Sequence, residues 1–130
     1  MTEDLKNRRK HTRVKFEIDF ELILSDMKIA GMTKNLSFGG AYLICESGVN
    51  PGEGQKGTLR LILNPMPQEL AISFTGRIVH VEEGGLGLKF LSIDLEGYQE
   101  FKNLMIYNSS DPDKLRQELE KDPGLIIKKL

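Results

Sequence analysis

From Val14 to Leu22 apolar and polar side chains alternate without a break, Val14, Phe16, Ile18, Phe20 and Leu22 against Lys15, Glu17, Asp19 and Glu21. A period of two is the signature of a strand with one buried face, and this is the clearest element in the chain. Ser25-Asp26 makes a turn, after which Met27 to Leu36 returns as a less regular strand interrupted by Gly31. In Ser37-Phe38-Gly39-Gly40 two glycines permit positive φ and a close backbone approach, and the short apolar run Ala41 to Cys45 follows. Glu46 to Gln55, with Gly48, Asn50, Pro51, Gly52 and Gly54, is a loop; Gly57 to Leu63 is a strand; Asn64 to Gln68, with Pro65 and Pro67, is again a loop. Leu70, Ile72 and Phe74 alternate with small polar residues, but the apolar phase slips at Ile78-Val79 before Val81, which puts a bulge near Gly76 in one long bent strand. Glu82-Glu83-Gly84-Gly85 closes a hairpin onto a last strand carrying Leu86, Leu88 and Phe90. Six short strands joined by turns predict a closed or nearly closed antiparallel β-barrel.

The period then changes to helical. Asp94 can cap a helix that sets Leu95, Tyr98, Phe101 and Met105 on one face, to be packed on one mouth of the barrel. Asp111-Pro112 starts a second helix, and Asp122-Pro123-Gly124 ends it near Lys121, with only Leu115 and Leu119 as an apolar face. The tail Leu125-Ile126-Ile127 with Leu130 is apolar enough to need cover, from its own barrel or from a second copy in a homodimer. Three parts result: a flexible basic arm over 1–13, the barrel over 14–92, and a C-terminal helical extension over 93–130.

Composition narrows the function. The chain has 130 residues, one Cys and a net charge of −1, so no global field draws it onto duplex nucleic acid or an anionic membrane. Any anionic ligand must be caught by local charge. Cys45 alone cannot form an intramolecular disulfide, no apolar run reaches the length of a bilayer span, and the charged N-terminus lacks the apolar core of a signal peptide. A cytoplasmic location is expected.

That local charge is in the arm: Arg8-Arg9-Lys10-His11-Thr12-Arg13. A guanidinium clamps a phosphate bidentately, reads the O6/N7 edge of guanine and stacks on a purine face, all of which lysine does poorly. Taken alone, the cluster reads more readily as a solvated basic tail. A second constellation is Asn35-Leu36-Ser37-Phe38-Gly39-Gly40, in which Asn35 and Ser37, two apart, point the same way from an extended strand. Both can bond a base edge or a phosphate oxygen, or else satisfy the backbone of an ordinary turn.

Together, the Arg9-x-x-x-Arg13 spacing, the strand that starts directly after it, and the Asn35-x-Ser37-x-x-Gly40 turn at the end of the second strand resemble the PilZ family. The glycine-rich closing strand Gly85 to Phe90 resembles it too, so the similarity runs over about Arg8 to Phe90. The resemblance implies a six-stranded, split-barrel type of fold and a non-catalytic receptor for cyclic diguanylate (cyclic di-GMP). It implies that Arg9 and Arg13 grip phosphate and guanine, that Asn35 and Ser37 bond guanine and the nearby phosphate, and that Gly39 and Gly40 form the turn. It also implies that Arg8, ahead of the motif, goes with a mutually intercalated pair of ligand molecules. No cofactor beyond that ligand and no metal is expected; a downstream protein partner in motility, exopolysaccharide or biofilm control is.

Two alternatives stand beside this reading: a ligand-independent adaptor of the same fold, and a small-barrel nucleic-acid binder. The acidic balance and the core-phase aromatics weigh against the second. Catalysis has no support, because no nucleophile beside a base, no metal cluster and no placed carboxylate pair is found. His11 is read as exposed, His80 as structural or surface, Phe38 as a wall for ligand or a plug for the barrel, and Cys45 as a small buried side chain.

Overall fold

The computed structural model describes residues 12–46, 48, 50–64, 70–121 and 125–128. The strands are β1 (Val14–Lys15), β2 (Asp19–Ile23), β3 (Lys28–Leu36), β4 (Gly40–Cys45), β5 (Lys56–Asn64), β6 (Leu70–Glu82) and β7 (Gly85–Asp94). Helices α1 (Leu95–Asn108) and α2 (Pro112–Lys121) follow, and then a short β8 (Ile126–Lys128). Strands β2, β5, β6, β7, β4 and β3 pair antiparallel in that order, and β3 pairs back onto β2, so the barrel is closed and those six have no open edge.

The alternation over 14–22 is one pattern but two strands. At Phe16 to Ile18 the chain bends, and β1 and β2 lie on successive stretches of β3. Thr33 occupies the bend from inside: its Oγ1 accepts from the Ile18 amide at 3.0 Å and donates to the Phe16 carbonyl, so a buried side chain stands in for the missing ladder bonds. The bulge expected near Gly76 is present, with register breaks at Thr75/Gly76 and again at Ile78/His80. Loop Glu83-Gly84 turns β6 into β7 with Gly84 at φ +80°, a conformation that suits glycine.

Helix α1 begins where the sequence placed it, the Asp94 carboxylate accepting from the Gly97 amide at 2.6 Å. It drops Phe101 into one mouth of the barrel. That ring meets Phe38, Phe74 and Phe90 edge-on at centroid distances of 5.5, 4.9 and 5.7 Å, and Phe74 and Phe90 stack at 4.1 Å. Phe38 is therefore a plug and not a ligand wall, fully buried at the tip of the β3–β4 turn.

The helical extension is not all helix. Residues 126–128 pair in parallel with β7, Ser92 opposite Ile126 and Ile93 opposite Ile127, in a stretch of β7 beyond its pairing with β4. The tail thus takes its cover from its own barrel, the first of the two alternatives; Ile126 itself stays exposed.

Candidate ligand-binding surface

The turn between β3 and β4 is organised by Ser37. Its amide donates to the Gly40 carbonyl at 2.8 Å, and its Oγ accepts from the Gly39 and Gly40 amides at 3.2 and 3.1 Å. The same hydroxyl lies 3.2 Å from the Gly40 carbonyl, to which it donates. One donor and two lone pairs are all a hydroxyl has, so Ser37 is fully engaged in holding the turn. Gly40 does not provide a reversal by positive φ, since the positive-φ glycines among the described residues are Gly48, Gly54 and Gly84. It is needed for proximity: a Cβ on Gly40 would stand 2.3 Å from the Leu88 carbonyl oxygen of β7. Gly39 has its own tie to β7, its carbonyl accepting from the Phe90 amide at 2.9 Å.

Asn35 is placed by a register break. On β3 the inward positions are Ile29, Gly31 and Thr33, all odd, and Asn35 is odd as well. Between Thr33 and Asn35 the pairing with β4 slips, Thr33 facing Leu43 and Asn35 facing Tyr42, so Lys34 is the extra residue of a β-bulge. The phase inverts there: Leu36 is buried, and Asn35 lies half-exposed on the outer surface. Among the described residues no hydrogen bond to the Asn35 carboxamide is found, whereas a buried amide would need partners.

Cations gather around it. Lys15 is the register partner of Asn35 on β1, and the antiparallel pairing of Val14 with Leu36 directs the chain at Arg13 toward Ser37. Lys34 lies 5.7 Å from the centre of the Tyr42 ring, the side chain facing Asn35 from β4. Beyond Gly40 the register continues through Lys89 on β7, Arg77 on β6 and Lys56 on β5, each exposed. Like charges on facing strands repel, and a bound anion relieves that repulsion. The Tyr42 hydroxyl donates to the Glu82 carboxylate, which also lies 3.3 Å from His80 Nε2, so His80 is a surface residue with an acidic neighbour.

The sequence motif is thus partly assembled. Asn35, Ser37, Gly39 and Gly40 stand together, and exposed Arg13 enters beside them. Arg8, Arg9 and His11 lie outside the described residues. The end of the arm is not a free tail: the Thr12 amide donates to Glu118 of α2 at 2.7 Å, and the Thr12 hydroxyl donates to the other oxygen of the same carboxylate. Sequence reasoning missed Lys15, Lys34, Tyr42, Lys89 and Arg77, because their neighbourhood is set by cross-strand register. Among the described residues no group of His, Cys, Asp and Glu is placed to hold a metal ion, and no helix is long and apolar enough to cross a membrane.

The family model for the PilZ domain matches residues 7–107. The fold is similar to the crystal structure of the PilZ domain of CeSA from a cellulose-synthesizing bacterium, at 19% identity and a TM-score of 0.58, over 72% of this chain and 93% of that one. It is also similar to the Bacillus subtilis inhibitor of motility MotI/DgrA, at 18% identity and a TM-score of 0.62, over 88% of this chain and 53% of that one. No curated protein matches. At these identities the two structures speak for the fold, and the family rests on the match over 7–107, most of the 130 residues: the chain belongs to the PilZ domain family of cyclic diguanylate receptors.

Proposed function

We propose that this chain is a cytoplasmic, non-catalytic receptor that binds cyclic diguanylate between its arginine-bearing N-terminal arm and the Asn35–Gly40 turn. The observation that carries the reading is Asn35, turned outward by the Lys34 bulge with no hydrogen bond to its amide found among the described residues, beside Lys15, Lys34 and the approach of Arg13. A carboxamide offers both a donor and an acceptor, which suits a guanine edge, and the surrounding ammonium and guanidinium groups suit the two phosphates. Arg8, Arg9 and Arg13 are assigned to phosphate and guanine. Ser37, Gly39 and Gly40 are assigned to the floor; Ser37 reaches the ligand only by releasing its bond to the Gly40 carbonyl. The signal passes as the arm closes on the ligand, with Thr12 as the hinge because Glu118 holds it to α2. A downstream protein then reads the closed surface.

Titration calorimetry with cyclic diguanylate tests this. Micromolar or tighter affinity is expected, weakened at least about tenfold by Asn35→Ala, the effect of losing one or two bonds to a charged or polar ligand. No heat at high micromolar ligand would overturn the proposal. That outcome would favour the second reading, a ligand-independent adaptor, for which the supporting observation is the fold shared with a protein named as an inhibitor of motility.

A further inference from the structure

On the outer face of β2, β3, β4 and β5 an apolar groove of about 740 Å³ opens next to the bulge. Its floor is Met32 on β3 facing Ile44 on β4; Asp19 on β2 faces Met32 from the other side and belongs to the rim, with Ile62 on β5 beyond it. Met32 is 43% and Ile44 45% exposed, high values for two large apolar side chains side by side. Ala30, on the same face of β3, is small, which hollows the surface beside them.

The rim is acidic. Glu17, Asp19 and Glu21 follow one another at alternate positions of one chain stretch, and Glu46 approaches from the end of β4. Glu21 is already neutralised: the hydrogen bond from Lys28 and the contact with Arg60 hold its carboxyl below the usual carboxylate range. For Glu17, Asp19 and Glu46 no ion pair is found among the described residues. A second copy presenting the same face would set carboxylates against carboxylates, which disfavours self-association there.

We propose that this groove is a docking site for a basic amphipathic segment of a partner protein, its aliphatic side chains on Met32, Ile44 and Ile62 and its Lys or Arg side chains on Glu17, Asp19 and Glu46. Methionine on an open floor adapts to aliphatic partners of varied shape, and the acidic rim selects the sign of the partner and its orientation. The groove lies on the same strand as Asn35, three residues away and about 10 Å along β3, so ligand and partner would be neighbours on one face. The inference stands on the groove alone and does not depend on cyclic diguanylate binding.

The test is fluorescence anisotropy of the full chain with a labelled, short amphipathic Leu/Lys helix peptide, run beside a Leu/Glu peptide of the same pattern and a scrambled Leu/Lys peptide with no apolar face. Only the patterned Leu/Lys peptide should bind, and Glu17→Gln with Asp19→Asn should weaken it about fivefold or more, in line with two lost rim contacts. Met32→Ser with Ile44→Ser should weaken it comparably while the chain stays folded with only a modest fall in melting temperature, since each side chain is already almost half exposed. Equal binding of the scrambled peptide, or indifference to both double variants, would overturn the proposal. A dimer in light scattering that Met32→Ser dissociates would assign the face to a second copy and overturn it as well. Both double variants should still bind cyclic diguanylate, the Glu17→Gln with Asp19→Asn variant no more weakly than wild type because two nearby negative charges are gone, so failure here is separable from failure of the receptor function.

Discussion

Gly40→Ala offers the sharpest check on how the turn is built. If the glycine served a left-handed backbone, alanine would cost only conformational strain; the structure instead places a Cβ 2.3 Å from the Leu88 carbonyl oxygen, with the Leu88 carbonyl carbon at 3.4 Å. An ordinary contact is more than 1 Å longer, so β4 and β7 must move apart where Ala41 and Leu88 are paired. Overpacking of this kind costs about 1–3 kcal/mol, and the upper end applies because the obstacle is a ladder backbone and not a flexible side chain. For a chain of this size 1 kcal/mol shifts the melting temperature by about 3–5 °C, so a fall of about 9–15 °C is expected. Differential scanning fluorimetry measures it, with Gly52→Ala as control. Gly52 has no positive φ and meets nothing nearer than Gln55 Oε1 at 3.9 Å, so that variant should be neutral or slightly stabilising. A Gly40→Ala melting temperature within about 2 °C of wild type would refute the close-approach account.

Thr33→Val keeps the shape but strands the Ile18 amide and the Phe16 carbonyl, and should cost about 2–4 kcal/mol in urea unfolding; less than about 0.5 kcal/mol would mean that water replaces the hydroxyl. Asn35→Ala should leave unfolding unchanged while weakening ligand binding, and a stability loss above about 1 kcal/mol would show that the amide has a structural partner. Glu118→Ala should release Thr12, read as faster amide exchange at Thr12 and Arg13; unchanged exchange would deny the clamp. Arg8→Ala should lower the calorimetric stoichiometry from about two ligands per chain toward one, and wild-type saturation at one would remove the intercalated pair. The Glu21 carboxyl is depressed in the folded chain, so its contribution to stability is present above the ordinary carboxylate range and lost as pH falls through its lower folded value; Glu21→Gln should flatten that acid limb of a pH series.

The elements are legible in short stretches of the chain. Strict alternation at 14–22, the phase slip at Ile78-Val79, the Asp94 and Asp111-Pro112 helix starts and the motif residues Asn35, Ser37 and Gly40 are local signals, and each lies where it was read. Local period says which side chains share a face, and a cap or turn is a property of a few adjacent residues. Tertiary structure decided the rest. Whether 14–22 is one strand or two depended on Thr33, fifteen residues from Ile18, reaching into the bend. Why Gly40 is glycine depended on the Leu88 carbonyl, and why Asn35 faces outward depended on a bulge that only the pairing with β4 reveals. The tail's alternatives, own barrel or second copy, could not be separated by its apolar content, because a hydrophobic strand is indifferent to which edge covers it; the open stretch of β7 beyond β4 chose. The cations Lys15, Lys89 and Arg77 are scattered over 14–90 in the chain and converge only because cross-strand register, a long-range quantity, brings them to one surface.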